Sequence, residues 1–200
     1  MKVIIAGAGK IGTYIAERIT EEAHDVTVIE ANAAKAEEMS NTLDVNVICG
    51  SASSVQVLKK ADVEKCDLFL SLTANEEVNI VSASVAGRLG AAKTIARIDD
   101  AVFRTDPMFS YQTHFNIDEM FSPKMFVSLE MASFIRNPGS LAVEHFAQGT
   151  VVMRQVIIDE NSSYIENKLR ELDIPKDVRI ACITRDTELI IPTGDTFLKA

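Results

Sequence analysis

Two hundred residues with 47% hydrophobic content suffice for one domain, or a domain with a small appendage, around a sizeable core. Twenty basic against twenty-nine acidic residues leave a net charge of −9, with no Lys/Arg cluster and no interleaved aromatic platform, which argues against a nucleic-acid partner. No run approaches membrane-spanning length, and the first residues enter a strand without a basic, apolar and small-residue leader, so a soluble, unexported chain is expected.

The chain opens on V-I-I-A-G-A-G-K-I-G, residues 3–12, in which an apolar β-branched run meets Gly7, Gly9 and Gly12 at GxGxxG spacing. Ile11, Ile15 and Ile19 follow at helical spacing and predict a helix over 10–22. In such a strand-turn-helix unit Gly7 makes the tight turn, Gly9 leaves room for a phosphate at backbone N–H groups, and Gly12 allows close helix–sheet packing. An anion would sit on the positive end of the helix. A second strand, 26–29, ends on Glu30, about 20 residues past the glycines, where a ribose-binding carboxylate is expected.

Asn32 is the predicted N-cap of an alanine-rich helix to Thr42, and strand three spans 45–49. Gly50, Ser51 and Ala52 at its end suit either an adenine or ribose edge or a simple strand-to-helix turn; Ser53 or Ser54 caps the next short helix. Residues 68–72 read as a strand buried on both faces. Thr73, Ala74 and Asn75 lead into a helix with Val78, Val81, Val85 and Leu89 on its expected buried face, Glu76 and Glu77 in its first turn, and Gly90 as its stop. In a fifth strand, 93–98, Arg97 replaces an expected apolar residue. It reads as a cation for ligand phosphates, with an ion pair to Asp99 as the alternative. Pro107 is placed in the first turn of a short helix, a sixth strand lies near 117–121, and a helix over 124–136 carries Met125, Phe126, Leu129, Met131 and Phe134. That is more apolar surface than one sheet face requires, as core or as an oligomer contact.

Asn137, Pro138 and Gly139 break the chain, and the reading continues with a strand over 151–158. A helix follows, opened by a Ser163/Glu166 capping box, striped by Ile165, Leu169 and Leu172 and ended by Pro175; residues 178–184 and 188–191 then form a hairpin. The expected organisation is a nucleotide-binding domain at 1–136, a linker at 137–149 and a small α+β unit at 150–200, which buries little of its own surface and should pack on a copy of itself. The fold class expected is α/β, a doubly wound parallel Rossmann-like sheet with that small unit appended. The cysteines, Cys49, Cys66 and Cys182, lack CxxC spacing and lie in or beside apolar runs, where reduced cysteines pack as core residues.

Several segments go beyond a generic dinucleotide fold: G-A-G-K-I-G at 7–12, V-T-V-I-E at 26–30, S-L-T-A-N-E-E-V-N at 71–79, T-I-A-R-I at 94–98 and M-F-S-P at 120–123. Through them the first 136 residues resemble the nucleotide-binding regulator domain, RCK or KTN, of bacterial potassium uptake systems, and the C-terminal piece resembles the start of the accompanying TrkA-C domain. The resemblance implies a non-enzymatic regulatory subunit, cytoplasmic and peripheral on the inner face of the membrane. It implies a homo-oligomer, a dimer or dimer of dimers, beneath a membrane-embedded potassium channel or transporter subunit whose state follows bound NAD or NADH, or ATP or ADP. It assigns Gly7 to Ile11 to the pyrophosphate, Glu30 to the adenosine ribose, Thr73 and Ala74 to the ligand's edge on the fourth strand, and Arg97 to the phosphates. The candidate nucleotide-binding residues are Gly7, Ala8, Gly9, Lys10, Ile11, Gly12, Glu30, Ser51, Ala52, Thr73, Ala74, Asn75 and Arg97, with no catalytic or metal residue. Ser51 stands where the family often has an aspartate. Lys124 stands where a glutamate often follows the Ser-Pro pair, which weakens the case for gating by ATP. The resemblance also implies that the chain is the amino-terminal part of a longer protein.

An NAD-dependent oxidoreductase is the rival, since the fold serves both. Tyr164 and Lys168 form a YxxxK pair, but on the predicted surface of the second unit and with no serine at the expected spacing. His24, His114 and His145 are scattered, with no triad or metal spacing.

Overall fold

The computed structural model describes residues 1–104, 106–136, 140–146, 150–165 and 167–199. It divides into two compact units, Met1–Ser128 and Leu129–Ala200.

The first unit is a six-stranded parallel sheet in the order β3-β2-β1-β4-β5-β6, flanked by helices. Its elements are β1 (Lys2–Ala6), α1 (Lys10–Glu21), β2 (Asp25–Glu30), α2 (Ala33–Thr42), β3 (Asn46–Cys49), α3 (Val55–Lys60), β4 (Leu68–Ser71), α4 (Glu76–Leu89), β5 (Thr94–Arg97), α5 (Tyr111–His114) and β6 (Glu119–Phe121); α6 (Pro123–Arg136) begins in this unit and runs past its boundary at Ser128. This is the expected doubly wound arrangement. Chain direction reverses its progress across the sheet between β1 and β4, which lie side by side with Val3 opposite Leu68 and Ala6 opposite Ser71.

Strand alternation explains why β1 and its neighbours are apolar throughout. Ile4 and Ala6 join Ile29, Leu58, Phe69 and Ala86 in one buried cluster. Val3 and Ile5 join Ala16, Val28, Met39 and Leu70 in another, against which Ile11, Ile15 and Ile19 pack as their spacing predicted. Phe69, with no exposure at all, sits in the first; complete burial of a side chain that size contributes about 2–3 kcal/mol.

Helix α4 follows the expected face only in part: Val85 and Leu89 pack against the first cluster. Val81 is 41% exposed, and the buried residues are Asn79, Ile80, Ser82, Ala83 and Ala86. Small side chains let α4 lie close on β4, where Ser71 Oγ meets Asn79 and Ser82, so Val81 falls outside the contact. Pro107 occupies a bend: Asp106 accepts from the Met108 and Phe109 N–H groups, and Ser110 caps the short helix α5. Cys66 is buried as expected, whereas Cys49 and Cys182 are exposed. Burial pushes the Cys66 thiol up from its ordinary value.

In the second unit, β7 (Ser140–Phe146) pairs antiparallel with β8 (Val151–Val156), with an irregularity between Ser140 and Ala142. The sequence places residues 140–146 in the linker, where the structure has a strand; the Asn137–Gly139 break lies outside the described residues. The helix predicted after Ser163 is replaced by a bridge between Ile165 and Leu198, another between Lys168 and Phe197, and a 3-10 turn over Leu169–Glu171. The reason is visible in the backbone: the N–H groups of Leu169 and Arg170 donate to Thr196 and Gly194 carbonyls, which commits them to distant partners. Glu166, half of the proposed capping box, lies outside the described residues. The predicted hairpin forms, shorter than expected, from β9 (Ile183–Arg185) and β10 (Glu188–Ile190), turning at Asp186 with φ 53°.

Candidate functional site

The candidate residues converge on the carboxyl ends of β1, β2, β4 and β5. Gly7 leaves β1 at φ +103°, and its N–H donates to the Ile29 carbonyl at 2.8 Å. A Cβ on Gly7 would stand 3.0 Å from both the nitrogen and Cα of Thr73, so the turn lies directly against the end of β4. A Cβ on Gly12 would run into the Gly7 carbonyl oxygen. Above Gly9 the space is open, with nothing within 4 Å of an added Cβ. Gly9 is also the N-cap position of α1, so the free N–H groups of the first turn face that opening.

Glu30 is bound into the turn. Its Oε2 accepts the Ala8 N–H at 2.7 Å and its Oε1 accepts the Asn32 N–H at 2.8 Å. Each carboxylate oxygen has a second lone pair, so the group can hold the loop and still accept from ligand hydroxyls. Asn32 in turn caps α2 by accepting from the Lys35 N–H. At the end of β3, the Gly50 N–H donates to the Glu30 carbonyl at 2.9 Å, and the Ser51 hydroxyl pairs with that of Ser53 at 2.8 Å. Ser51 is exposed, but the Ala52 side chain packs in the core with Ile4 and Leu58, as in the plain strand-to-helix turn reading.

Beyond β4, Thr73 and Arg97 are joined by a residue that sequence reasoning left out. Asn79, wholly buried on α4, accepts through Oδ1 from the Thr73 N–H (2.9 Å), Thr73 Oγ1 (2.6 Å) and Ser71 Oγ (3.1 Å). Its Nδ2 donates to the Thr73 carbonyl at 3.1 Å and the Arg97 carbonyl at 2.9 Å. A polar residue interrupting the apolar pattern of a helix was the available signal. Asn75 caps α4 through the Val78 N–H, and Ala74 is exposed beside it. The Arg97 guanidinium lies on Asp99, with Nη2 at 2.7 Å and Nε at 3.2 Å from Oδ2, the alternative set against phosphate binding. Asp99 Oδ1 accepts from Ser122 Oγ at 2.9 Å. Burial pushes the Asp99 carboxyl up, but the hydrogen bonds from Arg97 and Ser122 and the Arg97 charge outweigh it and hold the group below the usual carboxylate range. The Glu76 carboxylate accepts the N–H groups of Asp99 and Asp100.

A groove of about 520 Å³ opens at Ala8, Gly9 and Lys10 and runs along Tyr14, Lys35 and Met39; Glu30, Thr73 and Arg97 are not among its walls. Among the described residues no group of three or more His, Cys, Asp or Glu is arranged to hold a metal. Tyr164 is half exposed and Lys168 pairs with Asp195 at 3.0 Å, in the second unit.

Residues 3–123 match the model of the TrkA-N domain. The chain belongs to that family. Residues 153–200 match the TrkA-C domain in addition. Over all of its 200 residues the TrkA-N chain is 34% identical to a protein of Archaeoglobus fulgidus named as a Trk system potassium uptake protein TrkA homolog, of which it spans 45%. It spans about half the length of the curated relatives it matches. Two further relatives, of Halomonas elongata and Haemophilus influenzae, are each named as a Trk system potassium uptake protein TrkA. The fold is shared with a GsuK channel bound to NAD, at TM-score 0.58 and 16% identity over 72% of this chain and 25% of that one. It is shared too with GsuK bound to ADP, at TM-score 0.55 and 16% identity over 67% and 33%.

Proposed function

We propose that this chain is a nucleotide-binding regulatory part of a potassium uptake system. It takes NAD or NADH, and also ADP or ATP, across the carboxyl ends of β1, β2, β4 and β5. The observation that carries this reading is the Glu30 carboxylate bonded to the Ala8 N–H inside the glycine turn, with Thr73 against the same turn. Pyrophosphate would meet the open first turn of α1 over Gly9, ribose hydroxyls would meet Glu30, and Arg97 would reach phosphate by leaving Asp99. The nucleotides named in the GsuK structures support the ligand class.

The chain acts without chemistry of its own, as one member of a homo-oligomer, a dimer or dimer of dimers. Helix α6 supports the assembly: Phe126 is 68% exposed, Met131 61% and Phe134 50%, an apolar surface that a symmetric copy would cover. Bound nucleotide would bias the assembly's shape by its different affinity for two shapes, and a membrane pore subunit for potassium would feel that difference from the cytoplasmic side. No helix among the described residues is long and apolar enough to cross a membrane.

Calorimetry tests the site. Wild-type protein should bind NADH, NAD, ADP or ATP, with NADPH weaker than NADH, and Glu30→Ala should lose a factor of roughly ten or more. Equal affinity of the two proteins would refute the assignment. Steady oxidation of NADH with carbonyl substrates would refute the absence of chemistry.

A further inference from the structure

The groups around Asp99 have an arrangement that the nucleotide site alone does not use. Its carboxylate, only 6% exposed, lies between two cations from different elements: Arg97 of β5 at 2.7 Å and Lys124, in the first turn of α6, at 3.8 Å from the same oxygen. The other oxygen is fixed by Ser122 Oγ, which also accepts the Met125 N–H at 3.1 Å and so caps α6. The backbone is equally fixed. The Asp99 N–H donates to Glu76 at 3.0 Å, and its carbonyl accepts from Arg104 Nη2 at 3.4 Å, while Arg104 Nη1 lies 3.1 Å from Met125 Sδ. Asp99 therefore cannot follow Arg97 if that side chain turns away. Lys124 is 78% exposed on a flexible stem, free to close the remaining distance.

We propose that Asp99 is the positioning residue through which an anionic ligand reaches α6: phosphate draws Arg97 off the carboxylate, and Lys124 moves onto it. A nearly buried carboxylate left without a cation is costly, so the departure of Arg97 and the arrival of Lys124 are coupled. The exchange transfers one ion pair from β5 to the first turn of α6. Arg97 is placed for it, because Asn79 holds the Arg97 carbonyl and the Thr73 carbonyl on one amide nitrogen, at the edge of the glycine turn. This inference rests on the nucleotide reading above and adds how occupancy is transmitted.

The relay fixes the signs of a double-mutant cycle read by calorimetry with ADP. Asp99→Asn keeps the shape and an acceptor for Ser122 while releasing Arg97, and should tighten ADP binding roughly three- to tenfold. Lys124→Met, at an exposed position, removes the replacement cation and should weaken binding by a similar factor. In the Asp99→Asn background Lys124→Met should change nothing. Hydrogen exchange supplies the second readout: ADP should alter protection of the Met125 and Phe126 amides in wild type and leave it unaltered in Asp99→Asn, although that variant binds ADP. If Lys124→Met weakens ADP equally in both backgrounds, Lys124 touches the ligand directly and the relay is wrong. Weaker binding by Asp99→Asn, or an unchanged exchange response, also overturns it. Wild-type protein that binds neither ADP nor NADH sinks the nucleotide reading and the relay together, whereas binding with an additive cycle sinks the relay alone.

Discussion

Gly12→Ala should destabilise the first unit, although helix propensity by itself favours alanine there by about 1 kcal/mol. Gly12 lies in the first turn of α1, and the added Cβ would run into the Gly7 carbonyl oxygen. That oxygen belongs to a backbone with little room to give. Gly7 sits at φ +103°, its N–H is held by Ile29 at 2.8 Å, and the Thr73 backbone is packed against it. Overpacking in a tight interior costs about 1–3 kcal/mol, toward the upper end where the obstacle is main chain, so the net loss after propensity is about 1–2 kcal/mol. With a urea slope of about 2 kcal/mol/M, the midpoint followed by far-UV circular dichroism should fall by about 0.5–1 M. Gly9→Ala is the control. Gly9 has φ −80° and ψ 178°, which any residue adopts, and nothing lies within 4 Å of its Cβ position, so stability should stay within about 0.5 kcal/mol of wild type. Its methyl group does narrow the opening over α1, so ADP affinity should fall. A Gly12→Ala midpoint equal to or above that of wild type would refute the close-approach reasoning.

Asn79→Ala would leave the Thr73 N–H and the Thr73 and Arg97 carbonyls without their buried partner, and thermal or urea unfolding should show a loss of about 3 kcal/mol; a loss under about 1 kcal/mol would mean that water replaces the amide. Phe126→Asp changes a side chain that is 68% exposed within one chain, so the unfolding midpoint should hold while light scattering reports dissociation of the proposed homo-oligomer; an assembly that survives would remove α6 from the interface.

Local signals made much of the first unit legible in the sequence. A β-branched run, three glycines at fixed spacing and an isoleucine stripe specify strand, turn and helix within a few residues of one another, and Asn32 and Asn75 are caps because each reaches an N–H three residues ahead. Glu30 stands out in the sequence as the candidate acid by its distance from the glycines, since the length of α1 fixes where β2 must end. Its bond to Ala8 does not, because that bond depends on β1 and β2 lying in parallel register, whereas the bond to Asn32 is local, two residues along the chain.

Tertiary structure alone decided the rest, wherever a residue had a choice between partners close in sequence and partners far away. Arg97 could answer to a phosphate or to Asp99, and it lies on Asp99, which Ser122 from the far end of β6 and Glu76 from α4 hold in place. Val81 fits the helical spacing of a buried row, yet α4 turns Asn79 and its small neighbours inward because β4 presents a serine at close approach. Leu169 had the spacing of a helix, and its N–H went to Thr196. Strand β7 exists because β8 pairs with it, and nothing within residues 140–146 announces that partner. Periodicity and turn chemistry record what a segment can do by itself; choosing among those options takes hydrogen-bond and packing partners that only the folded chain brings near.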